Sequence, residues 1–167
     1  QYVGTTSFGT EVYVNKLALQ CKHIILTGGI VFHDIAGFGG GRKAILPGIS
    51  SYETVMQNHS LSLNPNGPGS NPKVRTALMD GNPFSEDMLE AAKFVNPSFL
   101  FNVILDSDGN FTAAVAGNYI TAHRKGCEIL KSIDSFNIKE KADVIIASAG
   151  GYPKDIDLYQ ASKALSN

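Results

Sequence analysis

The chain has 167 residues, 43% hydrophobic and 17% charged, which suits one globular domain, or a domain with a small lobe, and excludes a disordered segment. Fourteen basic and fifteen acidic residues leave a net charge of −1, so no global field favours nucleic acid or an anionic membrane, and any anion binding must be local. No stretch approaches the roughly 18 to 20 apolar residues that span a bilayer, and the N-terminus lacks a basic-then-apolar secretory pattern, which points to a cytoplasmic protein. Cys21 and Cys127 stand in apolar or helical contexts and are expected to be buried thiols rather than a disulfide or a ligand pair. The opening at Gln1 and the close just after an expected helix suggest a piece of a longer protein.

Val12, Val14, Leu17, Ala18 and Leu19 have a helix-like spacing behind Thr10, which predicts a helix over roughly 11–20. His23 to Thr27 is a short β-branched run ended by Gly28 and Gly29, a buried strand entering a loop. Ser51 opens a helix to about Ser60, and residues 64–72, rich in Asn, Pro and Gly, form an extended loop. Pro83 in the first turn, with Met88, Leu89, Ala92 and Val95 on one face, predicts a helix from about 83 to 95. The apolar runs 98–105 and 111–116 flank Asp106-Ser-Asp-Gly-Asn110, a β-hairpin turn; Gly109 is one for which a calcium loop would need a later position. A helix over 118–132, a strand over 142–148 and a closing helix over 155–166 complete the pattern. The fold class expected is α/β, a mixed sheet with helices packed on it and a Gly-rich loop at a strand's C-terminal edge, where ligands bind in open sheets.

That loop concentrates chemistry. His33-Asp-Ile-Ala-Gly-Phe-Gly-Gly-Gly-Arg-Lys43 holds an imidazole, an amine and four glycines, and Asn58-His59 follows. Gly39, Gly40 and Gly41 free the backbone for positive φ and for close approach by a ligand, and Arg42 and Lys43 bring two cations to it. A phosphate-binding P-loop is excluded, because Arg42 and Ala44 stand where glycine and Ser or Thr are required. The dinucleotide fingerprint fails as well, since no glycine stands at its sixth place whether counted from Gly37 or Gly39. No His-x-x-x-His or Cys-x-x-Cys spacing supports a tetrahedral zinc site, although one imidazole can hold a metal whose other ligands come from a cofactor. His23 at a strand start and His123 on a helix are expected to be structural.

Thr27-Gly-Gly29, His33-x-x-Ala-Gly-Phe-x-Gly-Gly-Arg-Lys43, Leu46-Pro-Gly48, Asn58-His59, Gly81-Asn-Pro, Glu86-Asp-Met-Leu89, the Ala122-His-Arg helix, Gly150-Gly-Tyr-Pro-Lys-Asp155 and Leu158-Tyr-Gln160-x-x-Lys163 together resemble, in order, the nickel-pincer lactate racemase family. The resemblance covers essentially the whole chain, but only the central and early C-terminal portion of a family member, a fragment of a larger two-domain enzyme. It implies a single structural unit in which residues 1–95 anchor the cofactor through loop 28–48, and residues 96–167 carry the hairpin and the Tyr-Gln-x-x-Lys segment.

The cofactor implied is a nickel-pincer nucleotide, a nicotinate-derived mononucleotide holding nickel through a carbon and two sulfurs. By resemblance Lys43 would be its covalent anchor, Gly39, Gly40, Gly41 and Arg42 would cradle it, and His59 would give nickel an imidazole. His33 would be one of two acid/base histidines. Tyr159, Gln160 and Lys163 would bind the substrate, a 2-hydroxy carboxylate, with Lys163 also counted among the catalytic residues. The activity implied is a 2-hydroxyacid racemase or epimerase working by hydride transfer through a 2-keto acid. Phe32 and Gly39 depart from the family pattern, which commonly has proline and serine there. The second histidine and an arginine region lie upstream in the family, so this chain alone is expected to be inactive without the remaining N-terminal portion of its parent. The competing reading is a noncatalytic anion-binding or interaction module that keeps the fold.

Overall fold

The computed structural model describes the chain except Ser107, Phe136, Asn137, Lys141, Ser166, Asn167 and the side chain of Tyr159. Strands β1 (Tyr2–Thr5) and β2 (Glu11–Tyr13) form an antiparallel pair. The expected helix over 11–20 is therefore a strand followed by the short helix α1 (Lys16–Leu19), with the Asn15 side chain accepting from the Leu17 amide as cap. The reason is local. Val12 and Val14 are buried while Glu11 and Tyr13 are exposed, an alternation of period two that β-branched residues satisfy best in a strand.

The main sheet has the order β3-β6-β7, with β3 (Ile25–Gly29) parallel to β6 (Phe99–Leu105) and β7 (Phe111–Gly117) antiparallel to it. The mixed sheet and helices bear out the expected class. The hairpin turn is also as expected: the Asp106 carboxylate accepts from the Asp108 and Asn110 amides at 3.0 and 2.8 Å, and Gly109 supplies a φ of +84°. Inward residues Leu100, Asn102 and Ile104 are fully buried, and α4 (Thr121–Asp134) packs on β6 and β7. Gly126 permits that approach, because a Cβ there would stand 3.0 Å from Val115 Cγ2 of β7 and 2.2 Å from Ile30 Cδ1.

Helix α2 (Tyr52–Ser60) starts at Ser51, whose hydroxyl accepts from the Thr54 amide. Helix α3 (Pro83–Val95) has the bounds read from its sequence, with Asn82 as cap, Pro83 at its first position and Asn96 left-handed at its end. Phe84, Met88, Ala91, Ala92 and Val95 are its buried stripe, and the larger ones stabilise the fold by about 1.5–3 kcal/mol each. Asp87, wholly buried, accepts from Thr6 Oγ1, Thr10 Oγ1 and Asn58 Nδ2 at 2.5, 3.0 and 2.8 Å. This one carboxylate ties the β1-β2 turn, α2 and α3 together.

Three further expectations change. Residues 142–148 are described and form no strand, with Val144, Ile145 and Ile146 77%, 79% and 94% exposed. Their β-branched run has the composition of a strand, but none of the described residues offers it a ladder partner, and backbone pairing rather than propensity makes a strand. The closing helix is shorter than expected: α5 (Leu158–Ser162), capped by Asp157, passes into a 3-10 turn over Lys163–Leu165. Cys21 is exposed rather than buried, because α1 ends before the core, whereas Cys127 is buried; both are free thiols. No helix of the described residues is long and apolar enough to cross a membrane.

Candidate active site

β3 runs to Gly29 and delivers the chain into a small hairpin, β4 (Phe32–His33) with β5 (Gly37–Phe38), followed by a 3-10 turn over Gly41–Ala44. The Gly-rich loop thus stands at the C-terminal end of a strand parallel to its neighbour. Residues 34–36 make the turn between β4 and β5, and it is held from three sides. Asn82 Nδ2 donates to Ile35 O at 2.9 Å. Arg42 Nη2 donates to Ala36 O at 2.8 Å. Gly37, at φ +76°, lies so close to Leu78 that a Cβ would fall 2.2 Å from its carbonyl oxygen.

On this rigid turn the structure brings His33 and Lys43 together: Nζ and Nε2 are 2.7 Å apart. Partial burial, then the Lys43 cation, push the His33 pKa down to about 4, with the Asp34 carboxylate opposing and Lys163 and Arg42 adding to the fall. Burial and then Arg42 bring Lys43 down to about 8, again with Lys163 contributing. At neutral pH the imidazole is uncharged and the amine is readily deprotonated. Lys163 belongs to this group through its charge on both residues, and its Nζ donates to Gln160 Oε1 at 2.8 Å. Gln160 and Lys163 share a cleft of about 370 Å³ with Ser148, Ala149 and Lys154. The side chain of Tyr159 lies outside the described residues.

The glycines have packing reasons of their own. A Cβ on Gly40 would meet Asn102 Oδ1 at 2.8 Å and one on Gly41 the His123 ring at 2.6 Å, with φ of +72° and +55°. Asn102 Oδ1 accepts from the Gly41 amide at 2.9 Å, and His123 Nε2 donates to Gly39 O at 2.8 Å. His123 is 4% exposed, as a structural histidine should be; burial, then the Arg42 cation, push its pKa down to about 4. Arg42 is also buried, donating to Ser85 Oγ at 2.6 Å and to the Ala36 and Ser85 carbonyls. Its guanidinium holds the loop from below. His23 is exposed.

His59 sits in α2 with Nδ1 2.8 Å from Val55 O and its ring edge-on to Phe84 at 5.0 Å. A carbonyl only accepts, so Nδ1 carries the hydrogen and Nε2 keeps a lone pair, the arrangement found in metal-bound histidines. The described partners of its ring are Val55 and Phe84, and neither His33 nor Lys43 is among them. No group of three or more His, Cys, Asp or Glu among the described residues is placed to hold a metal ion. Burial pushes the Cys127 thiol up to about 12, which disfavours the thiolate that a nucleophile needs.

Residues 1–70 match the family model of the lactate racemase N-terminal domain. The chain is 40% identical over 166 residues to a lactate racemase of Thermoanaerobacterium thermosaccharolyticum, and 37% identical over 164 to one of Lactiplantibacillus plantarum. The solved lactate racemase apoprotein from the first organism superposes with a TM-score of 0.89 over 98% of the chain. Over nearly its whole length the chain is similar to lactate racemases in sequence and in fold. It spans 38% and 37% of the length of these two relatives. A Thermotoga maritima protein, 21% identical with a TM-score of 0.62 over 80% of the chain, shares the fold.

Sequence reasoning missed Asn102, Asp34 and the carbonyl-holding role of His123. Asn102 had a signal: an amide in the middle of an otherwise apolar strand run demands a buried partner.

Proposed function

We propose that this chain is the cofactor-anchoring part of a 2-hydroxyacid racemase or epimerase, lactate-like in substrate and cytoplasmic. The observation that carries the reading is the uncharged His33 imidazole in contact with the Lys43 amine inside a field of cations from Lys43, Lys163 and Arg42. A field of that sign draws in a carboxylate, and a neutral imidazole beside it accepts a proton.

The types of donor present, an amine and an imidazole, suit the nickel-pincer nucleotide that the family resemblance implies. Lys43 offers an amine whose pKa, near 8, leaves a useful fraction nucleophilic at neutral pH. His59 offers a bare Nε2 with its other nitrogen pinned by Val55 O. Lys43 would hold the group covalently and His59 would ligate its nickel. When bound, such a group supplies hydride acceptance, chemistry that no side chain provides.

The chain's own residues do the rest. Lys163 and Gln160 bind the substrate carboxylate and orient its C2 carbon. His33 Nε2 would accept the C2 hydroxyl proton on one face of the substrate and give it back there in the reverse direction, and inversion requires the same exchange on the opposite face. A second acid/base group on that opposite face belongs to the rest of the parent protein, so the 167-residue chain alone does not turn over.

The test is loss of chirality. Full-length protein is incubated with single enantiomers of lactate and of other 2-hydroxy acids, and optical rotation is followed. Racemisation abolished by His33→Gln supports the reading. Racemisation of no panel member by cofactor-loaded protein would leave a noncatalytic anion-binding module, which the same cation field favours.

A further inference from the structure

Arg42 carries a buried charge that the fold leaves unanswered. It is 4% exposed, and two of its nitrogens are engaged: Nη2 donates to Ser85 Oγ and Ala36 O, and Nε to Ser85 O. Nη1 is buried as well and has no hydrogen-bond partner among the described residues. A cavity of about 30 Å³ borders it, lined in part by Ser85, Tyr119, His123, Arg124 and Asp80. Tyr119 is 6% exposed, and its hydroxyl also has no hydrogen-bond partner among the described residues. We propose that this cavity is a binding site for a chloride-sized inorganic anion, which accepts from Arg42 Nη1 and from the Tyr119 hydroxyl.

The charges around the guanidinium lead to it. Every partner Arg42 has is neutral, one hydroxyl and two carbonyls, and a buried cationic donor left unpaired is costly. The acids that line the cavity are spent elsewhere. Asp80 holds both terminal nitrogens of Arg124, and Glu86 accepts from the Gly81 amide at 2.7 Å. No carboxylate is among the groups whose charge acts on Arg42. Cys127 would oppose it only as a thiolate, and its thiol is protonated at neutral pH, as the His123 ring is uncharged. A water would give Nη1 an acceptor but no counter-charge, whereas an anion gives both.

Size and access fit a single ion. The volume is about twice the ~10–15 Å³ that one water occupies, room for a monatomic anion and too little for a phosphate. The way in lies at the Arg124–Asp80 pair, whose side chains are 42% and 75% exposed, while Ser85, Tyr119 and His123 close the buried wall. Neither His33 nor Lys43 lines the cavity, so the site is separate from the one described above. An ion there joins the 3-10 turn over Gly41–Ala44 to Ser85 on α3 and to Tyr119 just before α4. It also fixes the guanidinium that donates to Ala36 O, in the turn that follows His33.

The test uses full-length protein, with bromide and chloride as the probes. Crystals grown without halide and transferred to sodium bromide should show an anomalous peak within hydrogen-bond reach of Arg42 Nη1 and the Tyr119 hydroxyl. In solution, broadening of the chloride-35 resonance, at an ionic strength held constant with gluconate, should report a saturable site. Tyr119→Phe, which keeps the ring and removes one donor, should weaken its affinity by about 3- to 10-fold, and Arg42→Met should abolish it. A cavity filled by a water or by a side chain from elsewhere in the parent protein, with no bromide peak, overturns the proposal. A peak without saturable binding marks an adventitious ion only and overturns it too, as does an affinity that Tyr119→Phe leaves unchanged. The wild-type crystal and Tyr119→Phe decide the matter should Arg42→Met fail to fold.

Discussion

His123 offers the sharpest energetic prediction, because the loop that carries His33 and Lys43 leans on it. Its ring donates to Gly39 O at 2.8 Å from a site 4% exposed, and burial followed by the Arg42 cation takes its pKa from 6.5 to about 4. The fold therefore binds the uncharged ring. Between pH 4 and 6.5 the unfolded chain holds more protons at this residue than the folded one, so stability rises with pH across that window. This stability is fully present above about pH 6.5 and is lost as the pH falls towards 4. At 1.36 kcal/mol per pKa unit the loss is on the order of 3 kcal/mol. His123→Leu removes it, while leaving the Gly39 carbonyl without a donor at a fixed cost of about 1–3 kcal/mol. Urea denaturation followed by circular dichroism from pH 4 to 7 separates the two effects. The variant should be weaker at pH 7 and should show a shallower decline towards pH 4 than the wild type. An unchanged pH slope, or a His123 that titrates near 6.5 in the folded protein, refutes the reasoning.

Perturbations at four other residues have expected outcomes. Gly41→Ala would place a methyl 2.6 Å from the His123 ring at φ +55°, and should cost about 1–3 kcal/mol in denaturant unfolding. Asn102→Leu orphans the Gly41 amide and should cost about 1–3 kcal/mol, while Asn102→Asp, which keeps the acceptor, should lose less. Lys43→Met removes the cation that ranks second only to burial in lowering His33, so the His33 titration followed by NMR should move up from about 4. His59→Ala should strip nickel from purified, cofactor-loaded full-length protein without unfolding it, as metal analysis and circular dichroism would report.

The parts of this fold visible in the sequence were those specified by neighbours. Helix α3 announces itself through Asn82, Pro83 and its apolar stripe, and the hairpin through the Asp106 to Asn110 turn. His33 and Lys43 were legible as a pair because one motif holds them ten residues apart, and a tight turn followed by a 3-10 turn folds that spacing back on itself. The failures are equally physical. Residues 11–20 mix a two-residue and a helical period, and pairing with β1 decided in favour of a strand for the first part. The run 142–148 has strand composition but no described partner. The loop's supports were invisible because they act across the chain: Asn102 reaches Gly41 over 61 residues and His123 reaches Gly39 over 84. Glycines that invited a ligand reading turn out to be required by those two side chains as well.

The central claim is that Lys43 is the anchoring amine of a family half-site, and intact mass measures it most directly. Full-length protein produced together with its cofactor-synthesis system should carry a covalent adduct that maps to the Lys43 peptide and is absent from Lys43→Ala. An unmodified mass in protein that racemises 2-hydroxy acids, or an adduct that persists in Lys43→Ala, would contradict it.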